Sequence, residues 1–432
     1  MSLGNIAVRR AGWWLATAVM TLGPLAVLAG ANSLWTQWRG PERTGISAGA
    51  AWPDKLEGLT QTWRVELDKG YPGPIVAEDR VFVAETANKD TELVRALDRK
   101  TGQELWRASW PGRISVPFFA KRNGDWIRST PAYDGKLLFV GGIEEVLVAL
   151  DGKTGKEVWR VDFPARFSTP KPDFGYASSP LIDGDFLYTQ AANSVVKLKR
   201  STGETVWRAL EGASNIGDIM ERGAFSSPFI ARVAGKRQLL VGTRLHMAGV
   251  DLDTGKTLWM QPVPNFRGMN ILTPTVWGDH VFTSTHQNDT YLYKIEQKDG
   301  VFTSREVWRN KAKGYMSSPV IIGDFAYLHL GNQRFTCIDL RTGESKWTTT
   351  PYGQYWSMAL RGDKILALDE RGQLLLIRPN PEQFELLDSR ELTKSPAWAH
   401  LAVVGNEVFV RELTAITAYR WDAKPAPKPT DQ

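Results

Sequence analysis

The stretch "KTGKEVW" (Lys153–Trp159) decides how this 432-residue chain is read. Taken singly it is a surface hairpin closed by one aromatic: Thr-Gly places glycine where a short loop needs positive φ, and a polar residue before it starts the turn. Its repetition turns a local motif into architecture. "KTGQELW" ends at Trp106, "STGETVW" at Trp207, "DTGKTLW" at Trp259 and "RTGESKW" at Trp347; Trp63 and Trp308 complete the series, and Phe384 in "NPEQFELL" is taken as the next equivalent. Separations of 37 to 53 residues belong to propeller blades or to two-helix repeats. The runs inside each unit, such as "SVVKLKR" and "ETVWRAL", are short, β-branched and bounded by turns, so they read as strands and leave no room for an ordinary helix.

A second phrase precedes each of these hairpins. "STPAYDGKLLFV" from Ser129, "SSPLIDGDFLY" from Ser178 and "SSPVIIGDFAYL" from Ser317 have counterparts starting at Gly73, Ser226, Leu272, Trp356 and Trp398. Each is an apolar run, a Gly/Asp/Asn turn and a second apolar run. Two hairpins per unit make four antiparallel strands, and eight units make an all-β, eight-bladed propeller over residues 60–422. Radial closure leaves only short, protected edges. The last unit lacks a final tryptophan strand, whereas "TQTWRVEL" around Trp63 has no hairpin before it. The segment at Trp63 is therefore expected to be the outermost strand of the last blade and to close the ring.

Composition narrows the function less than the fold. The chain is 42% hydrophobic and 23% charged with a net charge of +6, and its basic residues are mixed with acids along the sequence. Nucleic acid is therefore not expected as a partner. The N-terminus carries Arg9-Arg10, the apolar run "AGWWLATAVMTLGPLAVLAG" and small residues at Ala29-Gly30-Ala31. It reads as an export signal over 1–31, with a retained inner-membrane anchor as the alternative, and the arginine pair suits twin-arginine export. An extension over 32–59 and a Pro/Lys-rich tail over 423–432 flank the propeller, and a periplasmic or secreted monomer is expected. Cys337 is the sole cysteine, which excludes an intrachain disulfide, a cysteine zinc cluster and a lipobox; in "FTCIDL" it reads as a buried strand thiol.

The Thr-Gly…Trp phrases and Ser-Ser-Pro hairpins resemble the pyrroloquinoline-quinone-enzyme-like propeller repeat. That repeat occurs in quinoprotein alcohol dehydrogenases and in noncatalytic relatives such as the lipoprotein of the outer-membrane β-barrel assembly machine. The resemblance covers roughly residues 60–422, and its unit count and size are closer to the noncatalytic relatives. "TQWRGPERTGIS" (Thr36–Ser47) resembles the opening of exported planctomycete-type members. For the quinone enzymes the resemblance implies a vicinal cysteine pair over the cofactor, which a chain with one cysteine cannot form. It also implies a Glu/Asn/Asp calcium set that has no residue-by-residue match here. No cofactor is expected on the first reading; pyrroloquinoline quinone (PQQ) and calcium belong only to the second.

Chain order restricts where a site can lie. Loops from the outer strand of one blade to the inner strand of the next share one face, and the Thr-Gly turns share the other. Those loops are uneven: 22 residues separate Trp106 from Ser129 but only 8 separate Trp308 from Ser317. The long ones would wall one side of the channel mouth, where propeller functions reside. On that face Arg128, Asp173, Arg222, Arg267, Asn270, Tyr315 and Trp356 are the candidate ligand-binding residues. The arginines could offer fixed donors to a carboxylate, phosphate or sugar acid, or simply tie loops to neighbouring blades. Asp218 and Glu221, with Asn270, are the candidate calcium ligands. Glu221 and His400 are the candidate acid–base residues, His400 being equally suited to a structural hydrogen bond. The Ser-Ser-Pro serines are explained as strand-entry hydroxyls bound to nearby backbone, and no Gly-x-Ser-x-Gly elbow, Walker loop or dinucleotide fingerprint is present. The first reading is a noncatalytic propeller that binds an envelope protein or glycan. The alternative is a periplasmic quinone-dependent oxidoreductase acting on an alcohol or sugar.

Overall fold

The computed structural model describes Met1, residues 34–215 and residues 223–421. Except for Met1, the expected export signal falls outside the described residues, as does the tail. The turn in "KTGKEVW" forms for local reasons. Asp151 Oδ1 accepts from the backbone N–H groups of Lys153 and Thr154 and from the Thr154 hydroxyl, at 3.1, 2.9 and 2.8 Å. Gly155, at φ 72°, then donates back to Asp151 O at 2.8 Å. The next strand carries a bulge: Ala149 pairs with Trp159, but Leu150 pairs with Glu157, so Val158 is displaced outward. The bulge re-aims the tryptophan.

That tryptophan binds a different blade. Trp159 lies against Gly203, where a Cβ would sit 2.7 Å from the ring, and its Nε1 donates to Arg200 O at 3.0 Å. Trp106 uses Gly155 and Gly152 O in the same way, Trp207 uses Gly255 and Leu252 O, and Trp308 uses Gly343 and Leu340 O. Trp259 stays within its own blade, over Gly249 and donating to Gln238 Oε1 at 2.7 Å, but the four outermost strands above are keyed into the turn of the following blade. A glycine is required there twice over, by the positive φ and by the ring that occupies the space of a side chain.

Among the described residues there are eight four-stranded antiparallel sheets: residues 75–111, 132–162, 181–209, 229–262, 275–310, 320–348 and 356–391 for blades 1 to 7, and 402–421 with Leu59–Glu66 for blade 8. This is an eight-bladed propeller. Leu59–Glu66 pairs antiparallel with Ala415–Trp421. Trp63 meets Gly102 of blade 1 and donates to Arg99 O at 2.9 Å, so the ring closes through the N-terminal strand as expected.

One sequence assignment is corrected. The bulge register of blade 7 pairs Leu376 with Asp388 and Ile377 with Leu386, which puts Asp388, not Phe384, at the tryptophan position. Phe384 instead packs on Trp347 of blade 6, ring centroids 5.7 Å apart. Asp388 Oδ2 accepts from Leu56 N at 2.8 Å, and Trp52 stacks on Trp421 at 6.1 Å. The extension before blade 1 therefore fills the junction between blades 7 and 8.

The start of that extension closes one end of the axis. Trp35 exchanges backbone hydrogen bonds with Val76 of blade 1, and Thr36 O accepts from Tyr133 N of blade 2. Gln37 Oε1 accepts from Ile182 N of blade 3. Gly45 and Ser47 bracket Leu360 of blade 7, accepting from its N–H and donating to its carbonyl at 2.8 Å each. Residues 35–47 therefore cross beneath the channel on the face of the inner-strand turns.

Candidate functional site: the axial cavity

The eight entry phrases align as a column with period two. Tyr71, Arg128, Ala177, Phe225, Ile271, Met316, Tyr355 and Trp398 each precede by two residues Gly73, Thr130, Ser179, Ser227, Thr273, Ser318, Ser357 and His400. In extended chain, residues two apart face the same side, and here that side is the axis. A cavity of about 280 Å³ is lined by nearly all of these residues, with Phe174, Met269 and Trp356, and with Trp38 of the crossing segment as its floor.

The lower ring explains the recurring serines. Thr130 Oγ1 accepts from Gly73 N at 2.9 Å, Ser179 Oγ from Thr130 N at 3.1 Å, Ser227 Oγ from Ser179 N at 3.0 Å and Thr273 Oγ1 from Ser227 N at 3.2 Å. Each hydroxyl stitches its blade to the preceding one. The upper ring is aromatic on one side: Tyr71 stacks on Trp398 at 5.0 Å, Tyr355 meets Trp398 edge-on at 4.5 Å, and Tyr315 packs on Tyr355 at 5.6 Å and on His286 at 4.3 Å.

Of the residues singled out from sequence, four reach the cavity: Arg128, Tyr315, Trp356 and His400. Arg128 Nη2 donates to Gly124 O at 2.6 Å, its guanidinium lies 5.9 Å from the Tyr71 ring, and burial holds its pKa below the usual value. Trp356 is buried and stacks on His329 at 4.8 Å. His400 is held between Trp35 and Trp38, with ring centroids 6.3 Å away in both cases, and its Nδ1 binds Leu401 O at 2.9 Å. Burial, reinforced by the charge of Arg39, pushes it down to about 3. A neutral, pinned imidazole with so low a proton affinity is a poor general base at neutral pH.

The others lie elsewhere. Arg267 is exposed, its guanidinium over Phe266 at 5.7 Å. Asn270 is buried beneath the loops and donates to Thr243 O at 3.0 Å. Asp173 sits on the loop wall, within electrostatic reach of Arg244. Asp218, Glu221 and Arg222 lie outside the described residues. The loop-tying role falls to an arginine that sequence reasoning passed over: Arg244, fully buried, donates to Gly268 O at 2.5 Å and to Arg267 O at 3.1 Å. Also missed were Trp38, Tyr71 and Trp398; Trp398 already opens its entry phrase, and aligning the others two residues further upstream would have found Tyr71.

Two more cations lie under the floor. Arg39 and Arg43 flank Trp38, their guanidinium carbons 5.6 and 5.3 Å from its ring. Arg39 donates to Pro319 O and Thr44 O, and Arg43 to Pro180 O and Ser179 O. Burial lowers both, to about 10 and about 9, with the Arg39 charge adding to the effect at Arg43.

Calcium coordination draws on carboxylate oxygens. No Asp or Glu lines the cavity among the described residues, and no group of three or more His, Cys, Asp or Glu there could hold a metal. Cys337 is buried in a strand of blade 6, its thiol pushed up to about 12 by burial.

A family model described as outer membrane protein assembly factor BamB matches residues 90–349. The chain belongs to that family of PQQ-like propellers. The outer membrane protein assembly factor BamB of Shewanella oneidensis is 22% identical over 294 residues, covering 64% of this chain and 66% of that protein. The dehydrogenase subunit of the quinone alcohol dehydrogenase of Gluconacetobacter polyoxogenes is 30% identical over 128 residues, 29% of this chain. The chain spans only 16–18% of the length of the kinase and dehydrogenase relatives that it matches. In fold it is similar to the crystal structure of BamB from Moraxella catarrhalis, with a TM-score of 0.61 at 16% identity over 84% of this chain and 99% of that one. Among the described residues no helix is long and apolar enough to cross a membrane.

Proposed function

We propose that this chain is an exported, noncatalytic propeller whose loop face holds a protein component of the cell envelope, acting as a monomer in the periplasm or outside the cell. One observation carries the reading: a run of phenylalanines leads from solvent at the tip of the longest loop, across the next two interblade loops, to the cavity mouth. Phe118 is 82% exposed. It meets Phe119 edge-on at 5.5 Å, Phe119 lies 6.4 Å from Phe174, and Phe174 lies 5.5 Å from Phe225. Contiguous exposed apolar side chains mark interaction sites, and phenylalanines, which are enriched at protein interfaces and have no polar group to meet sugar hydroxyls, suit a protein. The match to the assembly-factor family supports an envelope setting.

The test places a photoreactive amino acid at Phe118 and, as a control on the opposite face, at Lys153. Crosslinks to one envelope protein from position 118 alone are expected, and they should be lost when Phe119→Asp is added. Equal crosslinking from both positions would sink the face assignment.

The quinone oxidoreductase reading draws on the identity to the alcohol dehydrogenase subunit. Stoichiometric retention of PQQ with calcium, together with dye reduction on alcohols or aldoses, would establish it over the noncatalytic one.

A further inference from the structure

We propose that the axial cavity is a small-molecule site for a carboxylate carried on a single apolar ring, separate from the docking of a protein at the rim. The segment 35–47 makes the channel blind, so the cavity is a socket and not a pore. Its walls offer flat faces: the stacked Tyr71 and Trp398 on one side, Phe174 and Phe225 on the other, and Trp38 below. At about 280 Å³ it stands near the lower end of ligand pockets, roughly 300–1,000 Å³, which suits a small body.

Charge selects the other half of the ligand. Arg128 faces the cavity with a buried Nε that has no hydrogen-bond partner. The Nε atoms of Arg39 and Arg43, buried below the floor, are likewise without partners. None of the three arginines forms an ion pair with a described acid: their bonds go to backbone carbonyls. Desolvated cations and spare donors with no acceptor to meet them favour an entering anion.

The remaining chemistry narrows the anion. A sugar acid needs several polar groups around its ring, but the upper walls are aromatic; below, Thr273 donates its hydroxyl to Ser227 O, while Thr130, Ser179 and Ser227, which accept interblade N–H bonds, keep one O–H each, a number that suits the two oxygens of a carboxylate better than a ring of hydroxyls. A phosphate, more heavily hydrated, would have to enter between aromatic and methionine side chains. A monocarboxylate on one ring meets both the donors and the faces.

The experiment titrates the whole mature chain with 3-phenylpropionate and, separately, with 3-phenylpropanamide, following quenching of tryptophan fluorescence and the heat of binding. The acid should bind saturably, and the isosteric amide, which lacks the charge, roughly tenfold or more weakly, the worth of one charge-assisted hydrogen bond. Arg128→Gln should lower acid affinity by a similar factor while leaving amide binding unchanged, which separates lost charge from any loosening of the loop that Arg128 ties at Gly124. Equal affinity for acid and amide, absence of saturable binding by the acid, or binding of PQQ that requires calcium while the acid is silent would each overturn the assignment. None of these outcomes bears on crosslinking at Phe118, so the two proposals fail separately.

Discussion

Replacing Trp63 by alanine tests whether the ring is closed by its N-terminal strand. Trp63 is 7% exposed, tilts against Phe409 at 6.0 Å, covers Gly102 and donates to Arg99 O at 2.9 Å. Removing a packed tryptophan costs about 3–5 kcal/mol through lost transfer energy and the cavity left behind. The lost hydrogen bond adds about 1 kcal/mol. The effect falls on the one junction where the two ends of the sequence meet, because Trp63 belongs to blade 8 while Gly102 and Arg99 belong to blade 1. At about 2 °C per kcal/mol, the lower end for domains of this class, the melting temperature should fall by about 8–12 °C. Scanning calorimetry at a fixed rate measures it, with Arg113→Ala as the reference: the Arg113 side chain is exposed and its change should stay within about 0.5 kcal/mol. If Trp63→Ala and Arg113→Ala melt together, the closing contact is not where the stability lies, and the face assignments built on closure must be redrawn.

Three further outcomes are expected. Glu145 is buried and accepts from Ala192 N at 2.9 Å, and burial pushes it up to about 7. A carboxyl raised on folding contributes stability that is fully present below its ordinary value near 4.5 and is lost as pH rises through 7. Glu145→Gln should therefore gain on the parent in melting temperature between pH 5 and pH 8; a constant difference refutes the assignment. Ser227→Ala leaves the buried Ser179 N–H without its acceptor, at a cost of about 1–3 kcal/mol, and hydrogen exchange should accelerate at that amide ahead of those in blade 7. His400 should show no imidazole titration by NMR from pH 5 to 8, and Arg39→Gln, by removing a nearby positive charge, should move its titration upward; an ordinary titration in the parent would show that the crossing segment does not seal the channel.

What could be read without the structure was what repeats and what is local. The Thr-Gly turn needs only Asp151, Thr154 and Gly155 and their own backbone, so it is written within a handful of residues; its recurrence fixes the number of blades, and the unmatched strand at Trp63 fixes the closure. The register inside a blade was less legible. In blade 7 the turn is longer, so Phe384 falls within it, before the strand begins at Glu385, and Asp388 takes the tryptophan position beside the bulge with no change in composition to announce it. The cavity was half legible: Arg128 and His400 lie in a repeated phrase whose inward direction follows from strand periodicity, whereas Tyr315 and Trp356 stand one residue out of that phase and reach the cavity only through the way the loops and blades pack. Arg267 shares the same loop face and nonetheless points away, since a loop residue at φ 51° obeys no such period. The crossing segment was not legible at all. "TQWRGPERTGIS" has no periodicity, and the carbonyls that Arg39 and Arg43 bind lie 280 and 136–137 residues further along. Only closure of the ring brings those carbonyls to one point beneath the axis, and that convergence turns an open channel into a blind, positively charged socket.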